Sequence, residues 1–178
     1  MRAGLKGRLA AAVVIVAATI PLQGCGGLEP GSVAPEAIAD PTTTARPESP
    51  NSALVCPERA CAAVADRMAP RYATSPEALF AAWRTTVADT PRAAIVAEDP
   101  ARLLLLVQQR SAVFRFVDTI VVRVLPIEDG GSSFAALSRS EFGYDDFGVN
   151  ETRLAAWQAE AERRLDLAAT AAPRPPAR

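Results

Sequence analysis

The pattern of hydrophobic and polar positions predicts two helices with a region of strands between them. The first helix is predicted to begin at Ser75-Pro76-Glu77, where a serine N-cap, a proline at the first helical position and an acid in the first turn coincide. It ends before Thr90-Pro91. The last helix is predicted to begin at Glu151, with Asn150 as its N-cap. Helical spacing gives each helix one apolar stripe, formed by Leu79, Phe80, Trp83 and Val87 in the first and by Leu154, Trp157, Ala161 and Leu165 in the last.

About four strands are predicted between these helices. Short apolar runs cover residues 94–97 and 103–107, a longer alternating run covers 113–125, and a further strand covers 133–138 after a turn at 128–131. Connections of hairpin length make neighbouring strands antiparallel. The predicted fold class is therefore α+β, an antiparallel sheet of about four strands with an N-terminal and a C-terminal helix covering one face.

The alternating run 113–125 predicts which side chains face the core. Arg115 and Arg123 lie on its odd positions, so the even positions are predicted to point inward. This interpretation places Asp118 inside, next to Phe114 and Phe116.

A carboxylate inside the core needs a partner, because an unpaired buried charge is costly. Arg110, Arg139 and Arg153 are the candidate partners of Asp118. Two interpretations stay open at this point, a structural ion pair that fixes the strand to the following loop and a polar pocket that binds a small ligand.

The loop between the last strand and the last helix, within residues 137–153, is where we expect function. It combines charged, aromatic and glycine residues, and Gly143 and Gly148 permit backbone angles that other residues avoid. Together with the residues around Asp118, it supplies a candidate cluster for ligand binding or structural ion pairing. The cluster consists of Arg110, Asp118, Arg139, Asp146, Asn150 and Arg153.

The N-terminus has the composition of a secretory signal. Three basic residues precede an apolar run at 9–20, which is shorter than the roughly 20 residues needed to span a membrane. The run ends in Leu22-Gln23-Gly24-Cys25, which resembles the bacterial lipoprotein box. That resemblance implies cleavage before Cys25 and lipidation of Cys25, and Gly26 after it implies an outer-membrane address facing the periplasm. An ordinary signal peptide with a chance cysteine is the alternative.

Composition then divides the chain into four parts. Residues 1–24 are predicted to be the signal peptide, 25–51 the lipidated cysteine and a flexible tether rich in proline and threonine, 52–167 the globular domain, and 168–178 a disordered tail.

Two further cysteines, Cys56 and Cys61, are predicted to form a local disulfide in an oxidising compartment. Their spacing is too sparse for structural zinc and differs from the C-x-x-C spacing of thioredoxin-like sites.

The composition excludes several chemistries. The sequence has no histidine, which removes Ser-His-Asp and Cys-His nucleophile systems in their usual form and histidine-ligated metal sites. Its net charge of −1 gives no basic excess of the kind that nucleic-acid-binding proteins carry. We predict no cofactor, no metal site and no nucleic-acid partner.

Two motifs resemble a known family. Residues 109–120 read Gln-Arg-Ser-Ala-Val-Phe-Arg-Phe-Val-Asp-Thr-Ile, and residues 143–153 contain Gly-Tyr-x-Asp-x-Gly-Val-Asn-x-x-Arg. Together with the helix start at Ser75 and Trp83, they are similar to the bacterial DUF1499 family over roughly residues 54 to 165. The resemblance implies a domain in a cell-envelope setting and no established activity.

The sequence favours a non-enzymatic binding or interaction domain, tethered to the membrane, whose partner is an envelope protein or a small ligand. One alternative is a hydrolase-type enzyme that acts on envelope material. Its acid–base groups would come from Asp118, Glu141, Asp145 and Asp146, and its nucleophile from Ser138 or Ser140. Another alternative is a carrier that encloses an apolar ligand between sheet and helices.

Overall fold

A computed structural model of the protein describes residues 29–171. The predicted signal peptide, the predicted lipidation site Cys25 and the last seven residues lie outside the described residues. In chain order the elements are β1 (Ser52–Cys56), β2 (Arg67–Met68), α1 (Pro76–Ala88), β3 (Ala93–Asp99), β4 (Leu104–Arg110), β5 (Val117–Pro126), β6 (Ser132–Ser140) and α2 (Val149–Ala171).

The strands form one six-stranded sheet in the order β2-β1-β6-β5-β4-β3. The pair β1–β2 is parallel and the other pairs are antiparallel, so the sheet is mixed. The α+β class is confirmed, and the four predicted strands correspond to β3, β4, β5 and β6. The prediction missed β1 and β2, so α1 is not the first element. All five residues of β1 are buried, which removes the polar–apolar alternation that marks a strand, and β2 has only two residues.

Both helices pack on one face of the sheet, as predicted. The helix α1 begins where the sequence predicts, since the Ser75 hydroxyl accepts a hydrogen bond from the Ala78 amide at 3.2 Å. Its Trp83 lies fully buried with its ring centroid 4.8 Å from that of Phe134 on β6. The helix α2 contributes Leu154 to the same core.

The N-terminal segment (residues 29–51) covers the opposite face, where the sequence predicts a flexible tether. Ile38 is buried, Asp40 forms an ion pair with Arg123, and Arg102 donates to the Pro35 carbonyl oxygen at 2.6 Å. The outer face of the sheet is itself apolar and needs a cover, which an irregular proline-rich chain supplies without forming a helix or strand. The cluster on this face consists of Ile38, Val96, Ala97, Leu104, Leu106 and Val121.

The inward face of β5 is partly as predicted. Asp118 and Ile120 are buried on the helix side of the strand. Phe114 and Phe116, predicted to lie beside them, are instead exposed, because β5 begins only at Val117. A closed loop precedes the strand, since the Ser111 amide donates to the Phe116 carbonyl oxygen at 2.8 Å.

The disulfide between Cys56 and Cys61 is present, as predicted, with a Cα–Cα distance of 6.2 Å. It closes a loop at the end of β1. A loop of this size adds little entropic stabilisation, so its effect is local.

The C-terminal boundary also differs from the prediction. Residues 168–171 continue α2, whereas the sequence predicts a disordered tail from 168. Among residues 29–171, no helix is long and apolar enough to cross a bilayer.

Candidate functional site

A buried ion pair joins the start of β5 to the first turns of α2. Asp118 is 5% exposed, and the side chain of Arg153, which binds its carboxylate, is 8% exposed. Of the three arginines considered as partners, the structure places Arg153 against Asp118. The same guanidinium donates to the Gln109 amide oxygen at 2.7 Å and to the Ser138 hydroxyl at 2.9 Å. One side chain of α2 therefore binds three neighbouring strands, β4, β5 and β6.

Asn150 lies fully buried beside this pair. Its Oδ1 accepts from the Ser138 hydroxyl and from Arg153 Nη1, both at 2.6 Å. Its Nδ2 donates to the Asn51 carbonyl oxygen at 2.9 Å and to the Ser140 hydroxyl at 3.1 Å. The amide uses both of its donors and both acceptor positions of its oxygen, so it belongs to a satisfied network. We call Asn51, Gln109, Asp118, Ser138, Asn150 and Arg153 the polar cluster.

The N-cap prediction for Asn150 is wrong. The helix begins at Val149, and Asn150 lies inside it with its side chain turned into the polar cluster. Asp146 takes the capping role, because its carboxylate accepts from the amides of Gly148 at 3.0 Å and of Asn150 at 2.7 Å. An acid at this position also interacts favourably with the helix dipole.

The neighbouring loop carboxylate is engaged in the same way. Asp145 accepts a hydrogen bond from the Phe147 amide at 2.8 Å. The loop is held from below as well, since Asn51 Nδ2 donates to the Gly143 carbonyl oxygen at 2.6 Å. Side chains inside and outside the loop thus fix its path.

Two residues of the predicted cluster lie elsewhere. Arg139 is half exposed on the outer face of the sheet and pairs with Glu141 at 3.4 Å. Arg110, at the end of β4, lines a surface groove that also borders Arg153 and Trp157. The structure therefore brings together Asp118, Asp146, Asn150 and Arg153, and places Arg139 on the other side of the sheet.

Three members of the polar cluster were not predicted for it, namely Asn51, Gln109 and Ser138. Ser138 shares an inward-facing parity with Asp118, since Ser140 pairs with Asp118 and Ser138 with Ile120. Nothing in the sequence near Asn51 indicates a contact with residues about 90 to 100 positions away.

Above the polar cluster, the loops expose apolar side chains. Nine large hydrophobic residues are exposed in the described part of the chain, and seven of them lie in the β4–β5 loop (111–116), the β6–α2 loop (141–148) and the first residue of α2. We call these seven the apolar rim. They are Val113, Phe114, Phe116, Phe142, Tyr144, Phe147 and Val149.

The two loops of the rim are in contact. Phe116 stacks on Phe114 with ring centroids 5.6 Å apart, and its ring lies 6.1 Å from that of Phe142 in the other loop. The rim is therefore one surface at one end of the sheet. The sequence analysis assigned Phe114 and Phe116 to the core, although the concentration of aromatic residues between glycines was visible.

The backbone at the rim adopts an unusual conformation. Phe147 has φ 53° and Arg115 has φ 60°, in the left-handed region that residues with a Cβ rarely occupy. Such positions cost of order 1–3 kcal/mol each and persist where the surroundings fix them. The side chain of Phe147 is 93% exposed, so the loop holds an aromatic ring in water at an energetic cost.

A cleft of about 500 Å³ lies on the outer face, between the sheet and the N-terminal segment. Leu106, Val121 and Leu137 form part of its apolar lining, and Arg139 and Glu141 lie at its polar margin. This cleft is separate from the polar cluster, which lies on the helix side.

The arrangement offers little for catalysis or metal binding. Asp118, Asp145 and Asp146 all accept internal hydrogen bonds, and the Ser138 hydroxyl donates to Asn150. Within residues 29–171 there is no group of three or more histidine, cysteine or acidic side chains that could hold a metal ion.

Comparison with known proteins gives a family and no function. No curated protein matches the chain. A family model described as "Protein of unknown function (DUF1499)" matches residues 42–160, a range that includes the polar cluster and the apolar rim. Since the match covers more than half of the 178 residues, the chain belongs to the DUF1499 family.

Proposed function

We propose that this protein is a non-enzymatic binding domain, tethered to the membrane of the bacterial cell envelope, and that the apolar rim is its binding surface. The observation that carries the proposal is the concentration of seven of the nine exposed large hydrophobic side chains in two touching loops. Contiguous exposed apolar surface marks interaction sites in soluble proteins. A polar cluster that fixes these loops in advance lowers the entropy lost on binding.

The hydrogen bonds of the acidic and hydroxyl groups favour binding over hydrolysis. A general acid or base must come within hydrogen-bond reach of its substrate. Asp118 is sealed against Arg153, and Asp145 and Asp146 are turned towards loop amides. Ser138 is fully buried, which keeps a substrate carbonyl away from its hydroxyl.

The tether is proposed on the sequence alone. The lipoprotein box before Cys25 supports a lipid anchor and a periplasm-facing place on the outer membrane. Metabolic labelling with a fatty acid is expected to mark the wild type and to leave Cys25→Ala unlabelled. Equal labelling of both chains would refute the anchor.

The test of the binding surface is site-specific photocrosslinking in the intact envelope. Phe147, replaced by the photoreactive residue benzoylphenylalanine, is expected to form a reproducible adduct with a lipid or a protein. Met68 is the matched control, because it is an exposed apolar residue on β2, paired with Cys56 at the other end of β1 from the rim. Absence of adducts from Phe114, Phe142 and Phe147 alike would refute the rim as a binding surface.

The outer cleft supports a second candidate, a carrier of an apolar ligand. Its volume and apolar lining suit an acyl chain or a molecule of similar size. Native mass spectrometry of the domain purified from its own envelope would then show a bound small molecule. Leu137→Trp, which fills the cleft, is expected to abolish that signal, and retention of the molecule by this variant would refute the cleft as its site.

A further inference from the structure

We infer that the apolar rim docks on a lipid bilayer, at the boundary between headgroups and acyl chains. The inference deepens the proposed function by naming its partner, and it rests on that function. Chain length, side-chain chemistry and charge at the rim each support it.

The first argument is the short reach of the chain before the domain. The Gly31 amide donates to the Val96 carbonyl oxygen on β3 at 2.6 Å, and residues from Gly31 onward follow the sheet. Cys25 precedes Gly31 by six residues, which span at most about 20–22 Å when fully extended. A domain held by a lipid on Cys25 therefore stays beside the bilayer and cannot stand well clear of it.

The rim lies within this reach. Val96 is three residues from Ala93, about 10 Å along the strand. Ala93 pairs with Gln109, whose strand runs directly into the β4–β5 loop of the rim. The acyl chains on Cys25 and the rim can thus meet the same membrane surface, whereas a soluble protein partner would not require this proximity.

The side chains of the rim suit an interface. Phenylalanine and valine provide apolar surface, and Tyr144 adds an aromatic ring with a polar tip, a type enriched at membrane interfaces. The loops carry backbone polar groups that hydrocarbon cannot satisfy, so they insert to a shallow depth only.

The charges around the rim are nearly balanced. The carboxylates of Asp145 and Asp146 accept loop amides, and Glu141 pairs with Arg139, while Arg115 is exposed within the β4–β5 loop. The loops contain no run of basic residues of the kind that binds anionic lipids. Docking is therefore apolar, independent of anionic lipid and nearly insensitive to salt.

Depth-dependent fluorescence quenching tests the geometry. The full chain, purified as the cell processes it, is reconstituted with Phe147→Trp into phosphatidylcholine vesicles that carry bromine at defined positions of the acyl chain. Quenching of the new tryptophan by the shallowest bromines is expected. The native Trp83 and Trp157 are buried and provide the background, and Met68→Trp, expected to stay unquenched, is the matched control. Equal quenching of the two reporters, or none at position 147, would overturn the inference.

A soluble form tests the rim without the lipid. The chain from Gly26 onward retains all contacts described above, because they lie within residues 29–171. Its partitioning into phosphatidylcholine vesicles is expected to weaken roughly 100-fold in the double variant Phe114→Ser/Phe147→Ser, since each ring loses about tenfold. Met68→Ser is expected to change it by less than about twofold. Thermal melts confirm that each variant is folded.

The outcomes separate the inference from the proposed function. A protein adduct at Phe147 without quenching by bromolipid would refute the bilayer and leave the binding surface intact. A strict requirement for anionic lipid, or loss of partitioning in moderate salt, would refute apolar docking. Absence of both adducts and quenching would refute both proposals.

Discussion

The polar cluster and the apolar rim lie a few residues apart, and each reverses the usual distribution of side chains. The cluster buries Asp118, Asn150 and Arg153, whereas the rim exposes phenylalanine side chains such as Phe147 to water. Polar groups in the interior fix a unique arrangement when all of their hydrogen bonds are satisfied. The comparison teaches that the two regions have different tasks, the cluster holding the loops in place and the rim meeting a partner. Substitutions in the two regions should therefore separate folding from binding.

The largest effect is expected for Arg153→Ala. It leaves Asp118 buried without its cation, which destabilises proteins by about 3–5 kcal/mol. Urea unfolding of the soluble chain measures the change. Arg163→Ala is the matched control, because Arg163 is exposed on the same helix and its removal should change stability by about 0.5 kcal/mol or less. A loss below about 1 kcal/mol for Arg153→Ala would place the pair outside the determinants of folding.

A smaller loss is expected for Asn150→Ala. Its removal leaves the Asn51 carbonyl oxygen and the Ser138 hydroxyl without a partner, at a cost of about 1–3 kcal/mol. Faster hydrogen exchange at the loop amides of Phe147 and Gly148 should accompany the loss, since Asp146 also loses a contact. Unchanged exchange in a destabilised variant would show that the cluster stabilises the domain without organising the loop.

The rim should respond with the opposite sign. Phe147→Gly replaces a residue at φ 53° by one that adopts this conformation freely, so stability is expected to stay constant or to rise by up to about 1 kcal/mol. Adduct formation and vesicle binding should fall at the same time. A clear loss of stability would mean that the Phe147 ring supports the fold, and the division between cluster and rim would fail.

The smallest effect concerns acid pH and lies away from both regions. Hydrogen bonds from the Arg102 side chain and backbone hold the pKa of Asp99 below its ordinary value of 3.8. A carboxyl whose pKa is lower in the folded state stabilises the fold above its ordinary pKa, and this contribution is lost as the pH falls through the lowered value. The melting temperature of wild type should exceed that of Asp99→Asn slightly at about pH 5 and approach it near pH 2. A constant difference over this range would exclude the ionised pair as its cause.

Local signals in the sequence predicted much of the fold. Ser75-Pro76 carries its own helix start, and β3 to β6 carry apolar runs bounded by turns. The parity of the run before Leu125 correctly placed Asp118 inside, because alternation is a local property of a strand. The same parity misplaced Phe114 and Phe116, since alternation does not show where pairing with β4 stops.

The remainder depended on distant contacts. Asn51 joins the polar cluster through partners about 90 to 100 residues away, and no local pattern encodes that approach. The covering of the outer face by Ile38 likewise depends on the apolar residues of β4 and β5 that receive it. The composition of the N-terminal segment alone indicated a free chain.

The bond between Gly31 and Val96 has a consequence for self-association. The strand β3 is the last of the sheet on its side, and the open edge of a sheet invites pairing with another molecule. Gly31 occupies one carbonyl of this strand, and the residues after it cover the apolar surface beside it. A chain shortened to begin at residue 45 should therefore form concentration-dependent oligomers in sedimentation experiments, whereas the chain from Gly26 should remain monomeric. The residues that lead from the membrane to the domain would then also act as a guard against aggregation.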